Sequence, residues 1–248
     1  RGIDAKGFMQ KNASSHFPSS IERLPVPKRG GGTSVYAVVT RAEDIPYLAN
    51  QNTITFHMWT SSAATPGIPD WMVMDLDPED GDVPGARFAT HAIADELARF
   101  SLTGFPLATG STGFHVWVPI TGATMAETSL ASRALAAMAA QRHRERLTTE
   151  FLKKNRQGRV FVDWLRNTPT ATTVVPFSLR PRSGAPAALP LAWDELDAAE
   201  PDGWPIGSHE SRPPIVHHPQ PLPTSEIVSA ARDLGIDLDT PHNRFGRT

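Results

Sequence analysis

Apolar residues alternate with polar ones in short stretches of the chain, and this pattern predicts β-strands interleaved with helices. Apolar residues at helical spacing predict a helix over 85–100, and the capping box Thr124–Glu127 opens a second helix in an alanine-rich run. Shorter helices are predicted near 193–199 and over 224–234. The predicted strands are 34–40, 53–59, 71–77, 104–109, 114–120, 159–164 and 172–179.

Four of the predicted strands carry charged or titratable side chains on the face opposite their apolar residues. Because successive side chains of a strand point to opposite faces, these groups are expected to project away from the packed core. They are the candidates for chemistry: His57 in 53–59, Asp75 and Asp77 in 71–77, His115 with Trp117 in 114–120, and Asp163 in 159–164.

Asp75 and Asp77 are the most informative pair. Side chains two apart on a strand lie roughly 7 Å apart on one face, so both carboxylates can reach one divalent ion. Ligation by oxygen alone suits Mg²⁺ or Mn²⁺ better than zinc. Two-metal phosphoryl transfer commonly needs a further anionic ligand, and Asp163 is the candidate.

Each of these residues also has a structural interpretation that the sequence leaves open. Asp75 and Asp77 can mark an exposed strand end that enters an Asp-Pro turn. Asp163 can be a surface carboxylate beside basic residues. His57 or His115, taken singly, can be a hydrogen-bonded structural histidine.

The composition excludes several classes of protein. The chain has 248 residues, 40% of them hydrophobic, and no cysteine, which excludes disulfides, thiolate metal sites and cysteine nucleophiles. No apolar run approaches the roughly 18 residues of a membrane span, and no secretory segment is visible, so we expect a cytoplasmic protein without a membrane partner. The chain begins without Met at Arg1 and is expected to start partway into its domain.

Charge is unevenly distributed along the chain. The net charge of −2 argues against indiscriminate binding of nucleic acid. Basic residues nevertheless flank Asp163 on both sides, and a triphosphate placed beside three carboxylates needs metal ions and cationic side chains together. This pattern of acids with bases around them is what nucleotidyl transfer demands. The flanking bases are Lys153, Lys154, Arg156, Arg159, Arg166, Arg180 and Arg182.

A small-residue turn, Thr109-Gly-Ser-Thr-Gly113, lies between two predicted strands. Its amides and hydroxyls can face an anion, as in other glycine-containing loops. It is not a Walker loop, because no Gly-Lys-Ser/Thr follows and a strand, not a helix, comes next. A plain hairpin turn explains it equally well.

Six sequence blocks, in order, are similar to those of the primase-polymerase domains of bacterial nonhomologous end-joining ligases, which belong to the archaeo-eukaryotic primase superfamily. The resemblance runs from about Phe8 to Leu196. The blocks are 8–12 (FMQKN), 71–78 (WMVMDLDP), 109–115 (TGSTGFH), 158–167 (GRVFVDWLRN), 173–182 (TVVPFSLRPR) and 190–196 (PLAWDEL).

The resemblance implies a fold and a domain division. The fold is of the α/β (mixed α+β) class: a primase-polymerase core with an RNA-recognition-like mixed sheet flanked by helices. Residues 1–200 would form the catalytic domain, with its N-terminal part absent. The tail after about residue 200 matches no pattern of the family; from its prolines and its terminal helical pattern, 201–248 is expected to form a Pro-rich C-terminal extension with a short terminal helix.

The resemblance also implies roles for individual residues. Asp75, Asp77 and Asp163 would hold two catalytic ions, Mn²⁺ or Mg²⁺. Phe8 and Met9 would stack against template bases, with Lys11 beside them. The residues implied around the incoming nucleotide are His57, Thr109, Ser111, Thr112, His115, Arg156, Arg166 and Arg180.

Two residues depart from the family pattern. Thr112 stands where many relatives have lysine, so one phosphate contact is missing. Met9 replaces a second aromatic residue, which weakens base stacking. No Lys-x-Asp-Gly motif of a ligase is present, so joining activity belongs to another domain or protein.

The function implied is template-directed nucleotidyl transfer, which extends 3′ ends and fills gaps during DNA end joining or repair. Its substrates would be NTPs or dNTPs on primer-template or gapped DNA, with a DNA ligase and an end-binding protein as partners. Two alternatives remain: a noncatalytic module that binds DNA ends or nucleotides for a ligase, and a metal-dependent phosphohydrolase or nuclease.

Overall fold

The computed structural model describes residues 7–28, 31–79, 81–208 and 217–240. The chain divides into two compact units, Arg1–Ile54 and Thr55–Thr248. The predicted division near residue 200 stays a prediction.

The first unit contains a two-stranded antiparallel sheet and one helix. Strand β1 (Glu22–Pro27) pairs with β2 (Thr33–Val38), and helix α1 (Asp44–Asn50) follows. The strand predicted over 34–40 is confirmed by β2. Neither β1 nor α1 was predicted. The prolines of β1 argue against a strand, but prolines are tolerated in an edge strand, and β1 pairs only with β2 among the described residues.

The second unit alternates strands and helices as the sequence predicts. Helix α2 (Val83–Ala98) begins two residues before the predicted start and is capped by Asp82. The Thr124–Glu127 capping box opens helix α3 (Met125–Arg142) as predicted. Single 3₁₀ turns lie at Leu165–Asn167 and Trp193–Glu195, the second in place of the helix predicted near 193–199. The other elements are β3 (His57–Met58), β4 (Trp71–Asp77), α2 (Val83–Ala98), β5 (Phe105–Ala108), β6 (Phe114–Thr121), α3 (Met125–Arg142), β7 (Leu147–Thr148), α4 (Lys153–Arg156), β8 (Val160–Asp163), β9 (Thr173–Val174), β10 (Leu189–Pro190), β11 (Gln220–Pro221) and α5 (Thr224–Asp233).

Among the described residues, seven strands form one mixed sheet in the order β10-β5-β6-β4-β8-β7, with β11 added beside β6. Strand β4 pairs antiparallel with both β6 and β8 and is therefore central. The pairs β7–β8 and β11–β6 are parallel. The predicted mixed α/β fold, with a sheet flanked by helices, is confirmed.

Both faces of the sheet are packed. Met72, Met74 and Leu76 of β4 face the main core, to which α2, α3 and α5 contribute. Val73 and Trp117 face the other side, where Val174 of β9 packs against them. The expectation that this side of the sheet lies away from packing is therefore wrong: Trp117, His115 and Asp163 are all buried.

The strands predicted over 53–59 and 172–179 are observed only as the two-residue strands β3 and β9, which pair with each other. Beyond it, side chains replace the backbone ladder: the Phe56 amide donates to the Ser178 hydroxyl at 2.7 Å, and the Thr55 hydroxyl donates to the Leu179 carbonyl at 2.8 Å. Phe177 has a left-handed backbone conformation, which ends an extended strand.

Helix α5 packs onto the main core. The predicted terminal helix is confirmed by α5, which places Ile227, Val228 and Ala231 in the cluster formed by the sheet and α3. Among the described residues, no helix is both long and apolar enough to cross a membrane.

Replacing Ile227, which is fully buried, tests whether α5 belongs to the cooperative core. Ile227→Ala should lower the free energy of unfolding by about 2–5 kcal/mol, because it deletes buried methyl groups and leaves a cavity. Urea denaturation measures this. The control Leu234→Ala, at a residue that is 38% exposed, should cost less than about 1 kcal/mol. Equal, small effects of both substitutions would contradict the prediction.

Candidate active site

The register of three neighbouring strands brings the predicted acidic residues together. Asp75, in β4, lies directly opposite Asp163 in β8 on one side and opposite His115 in β6 on the other. Residues directly opposite each other in an antiparallel pair project from the same face. Asp77 lies two residues further along β4, on that same face. Asp75, Asp77 and Asp163 are called the carboxylate cluster below.

Arg166 joins two members of the carboxylate cluster. Its Nε and Nη2 donate to Asp75 Oδ2 at 3.0 and 2.9 Å, and Nη2 lies 3.4 Å from Asp163 Oδ2. Two like charges directly opposite each other on neighbouring strands repel. The guanidinium of Arg166 offsets that repulsion.

Asn167 fixes the turn from which Arg166 projects. Strand β8 pairs with β4 only from Asp75 onward. Further back, the Asn167 side chain accepts from the Val73 amide at 2.7 Å and donates to the Val73 carbonyl at 2.7 Å. Asp163 Oδ1 accepts from the Leu165 amide at 2.8 Å and caps the same turn. These bonds hold the backbone of Arg166 beside Asp75.

The electrostatics of Asp75 are set by opposing effects. Burial alone would raise the pKa of Asp75, but the neighbouring His115 and Arg166 outweigh it and hold that pKa well below its usual range. His115 Nε2 lies 3.3 Å from Asp75 Oδ1. Burial also opposes the charge of Arg166, yet Asp75 and Asp163 raise the pKa of Arg166 above its ordinary value. Asp75 is therefore ionised at neutral pH.

Asp77 has a separate cationic partner. Arg156 Nη1 donates to Asp77 Oδ2 at 3.1 Å, and the Asp77 side chain is 40% exposed. Arg156 is buried, donates to the carbonyls of Glu150 and Phe151 as well, and stacks over Phe161. Arg156 therefore positions Asp77 and the 150–151 segment.

A second basic group lies near the carboxylate cluster. Burial, then the charges of Arg180 and Arg166, lower the pKa of His57 from 6.5 to about 4, so His57 is neutral at neutral pH. Burial, together with the charges of Arg182 and Arg166, lowers the pKa of Arg180 despite the attraction of Asp75. We call Arg166, Arg180 and the protonatable His57 the cationic group. The repulsion between its two arginines favours an anion at this place.

The Thr109–Gly113 turn connects β5 with β6 and is a closed hairpin turn. The Thr109 hydroxyl donates to the Gly113 carbonyl at 2.7 Å and accepts from the Ser111 amide at 3.2 Å. The Thr109 hydroxyl thus makes its hydrogen bonds within the turn. Ser111 is half-buried and Thr112 is exposed. Anion binding at this turn stays a prediction.

Gly110 brings the turn against Arg180. A Cβ atom at Gly110 would lie 2.6 Å from Arg180 Cγ and 3.0 Å from the backbone of Ala187. The absence of a side chain therefore lets the stem of Arg180 pass along the turn.

The donor set of the carboxylate cluster fits a hard divalent cation, because it consists of carboxylate oxygens. In the described part of the chain, however, no three or more acidic or histidine side chains form a group that could hold a metal as they stand. Arg166 lies on Asp75 and Asp163, and Arg156 lies on Asp77. The metal site predicted from the sequence stays a prediction.

Phe8, Met9 and Lys11 belong to the first unit, in an irregular segment, and are exposed. Their predicted contact with template bases stays a prediction. The other predicted site residues belong to the second unit.

Sequence reasoning missed two polar residues that organise the site. Asn167 has no pattern that distinguishes it from a surface asparagine, apart from its place after an apolar strand and a turn. Thr173 Oγ1 lies 3.3 Å from His115 Nδ1, and both residues are buried. Only the strand register reveals either contact.

Comparison with known proteins identifies the family. A family model described as the LigD primase-polymerase domain matches residues 1–212. The chain belongs to this family.

Two relatives and one solved structure show the extent of the similarity. The chain is 34% identical over 212 residues to the multifunctional non-homologous end joining DNA repair protein LigD of Mycobacterium tuberculosis, covering 79% of this chain and 27% of the relative. It is 32% identical over 202 residues to the multifunctional non-homologous end joining protein LigD of Pseudomonas aeruginosa, covering 80% and 24%. The polymerase domain of Mycobacterium tuberculosis Ligase D, solved in complex with DNA, matches with a TM-score of 0.73 and 27% identity over 94% of this chain and 78% of that one.

The chain spans about a quarter of the length of these relatives. Membership of the LigD primase-polymerase family implies a nucleotidyltransferase.

The lowered pKa of His57 can be measured directly. In an NMR titration, His57 should change protonation near pH 4 and not near 6.5. Because the unfolded chain takes up this proton first, His57 should reduce stability as pH falls from about 6.5 to 4, and should have no effect above that range.

Arg180→Gln should move the midpoint of His57 back toward 6.5, because it removes a neighbouring positive charge. His57→Gln assigns the resonance. A midpoint that stays near 4 in Arg180→Gln would show that Arg180 does not contribute.

Proposed function

We propose that this chain is a template-directed DNA or RNA primase-polymerase that adds nucleotides to 3′ ends and fills gaps during DNA end joining. The observation that carries the proposal is the carboxylate cluster beside the cationic group, in a chain that belongs to the LigD primase-polymerase family.

Nucleotidyl transfer brings a 3′-hydroxyl, an α-phosphorus and a polyphosphate leaving group into line. Negative charge builds on the phosphoryl oxygens, so catalysis relies on positioning and electrostatic stabilisation. Carboxylates alone would repel the substrate, and cations alone could not hold a metal. The proposed site combines carboxylates on one face of the main sheet with basic residues of the neighbouring β3–β9 region.

Asp75, Asp77 and Asp163 are the residues that would hold Mn²⁺ or Mg²⁺. Two such ions, when bound, supply charge neutralisation for the attacking and leaving oxygens. For this the carboxylates must release their contacts with Arg166 and Arg156. The released guanidiniums are then available to phosphate oxygens, which Arg binds in bidentate fashion.

His57 and Arg180 are the residues that would hold the β- and γ-phosphates. An anion of several charges offsets the charge of Arg180 and favours protonation of His57. In the reaction, the 3′-oxygen forms a bond to the α-phosphorus, the bond from that phosphorus to the bridging oxygen breaks, and pyrophosphate leaves. The hydroxyl proton passes to solvent.

DNA is the proposed polymer substrate, with NTPs or dNTPs as donors. Support comes from the solved relative, whose title describes a complex with DNA. Because the similar proteins are named for non-homologous end joining, a DNA ligase and an end-binding protein are the proposed partners.

Asp77→Ala should leave the fold intact and lower nucleotide incorporation by about 100-fold or more, because it removes a charged group from the reacting centre. The assay is extension of a primer on gapped, 5′-phosphorylated DNA with Mn²⁺ or Mg²⁺, using ribonucleotides and deoxyribonucleotides in parallel.

The control Asp95→Ala, at an exposed residue of α2, should extend the primer like the unaltered chain. Circular dichroism checks the fold of both variants. Unimpaired extension by Asp77→Ala would refute the assignment. Binding of DNA without extension by the unaltered chain would favour the noncatalytic module, and shortening of the primer would favour a nuclease.

A further inference from the structure

Phe177 has an unusual backbone conformation next to the cationic group. Its φ is +67°, in the left-handed region, where a bulky residue is a clear outlier. Of the described non-glycine residues with such a backbone, Phe177 is the one with an aromatic side chain. It also keeps 38% of its surface exposed. Burial of the ring therefore offsets only part of the free-energy cost of this backbone conformation.

Backbone contacts over-determine this conformation. The Phe177 amide donates to the Ala188 carbonyl at 2.6 Å, and the Ser178 carbonyl accepts from the Ala188 amide at 2.8 Å. On the other side, Ser178 is bonded to Phe56, the residue before His57. Strain held in this way clusters at ligand-binding sites.

The neighbours of Phe177 are phosphate-binding candidates. His57 follows the residue that Ser178 holds, and Arg180 lies three residues after Phe177. The charge of Arg180 acts on His57. A partly exposed ring thus lies on the same short segment as Arg180 and beside the segment that carries His57.

A nucleoside triphosphate has the complementary parts: an anionic tail and a flat aromatic base. Stacking of a base on an aromatic side chain contributes about 1–3 kcal/mol and tolerates any base, because every base has a π-face. A polymerase that must accept each base in turn can use such a contact without losing generality.

We propose that Phe177 stacks on the base of the incoming nucleotide whose triphosphate is held by His57 and Arg180. The inference rests on the proposed function and adds the residue that binds the base. It gives a reason for the strained backbone: the strand is ended at Phe177 so that the ring faces the nucleotide.

Calorimetric titration of the 248-residue chain, in the presence of Mn²⁺, tests the proposal with two probes: ATP and inorganic triphosphate. Phe177→Leu keeps an apolar side chain and the same backbone strain but has no π-face. It should weaken ATP binding about fivefold or more and leave inorganic triphosphate binding unchanged. Phe177→Tyr should bind both probes like the unaltered chain.

The thermal midpoint of each variant shows whether it is folded. Unchanged ATP binding by Phe177→Leu would overturn the proposal, and so would equal weakening of both probes, which indicates a distorted pocket. A single-stranded oligonucleotide is titrated in the same way, and a loss confined to its binding would assign the ring to the template base and also overturn the proposal. If the unaltered chain binds neither probe, the proposed function fails, and this inference fails with it.

Discussion

Arg166 carries the interaction on which the site depends. Strand pairing places Asp75 and Asp163 directly opposite each other, where two negative charges repel, and the guanidinium contacts both. Burial raises the cost of leaving these charges uncompensated. The sheet can therefore bring the two carboxylates together only while a cation lies between them. A cluster that concentrates negative charge is in this way compatible with a stable fold.

The sequence predicts those parts of the site that depend on local pattern. Alternation along β4 correctly predicts that Asp75 and Asp77 share a face, and the strand bounds 71–77 are those observed. The six family blocks also indicate which distant residues belong together. Local pattern does not predict the residues that lie opposite Asp75, because His115 and Asp163 reach these positions only through the register of three strands. Single-strand alternation carries no information about register.

The β3–β9 region was predicted least well, for a physical reason. Residues 53–59 and 172–179 have the composition of strands, yet the Thr55 and Ser178 hydroxyls bond to backbone groups of the partner segment and replace the ladder. Tertiary contacts thus override strand propensity. The region with these substituted bonds carries His57 and Arg180 and includes Phe177, with its left-handed backbone. Departures from local preference are expected at strained or functional sites.

Asn167 has a consequence for how the site can change. Its amide group continues the hydrogen bonding of β4 where β8 has already stopped, so the backbone beneath Arg166 is anchored at Val73 and at Asp163. The freedom left to the guanidinium of Arg166 is then rotation about the bonds of its own long side chain. A change of the Arg166 contact at Asp75 therefore requires a change of rotamer and no rearrangement of the sheet.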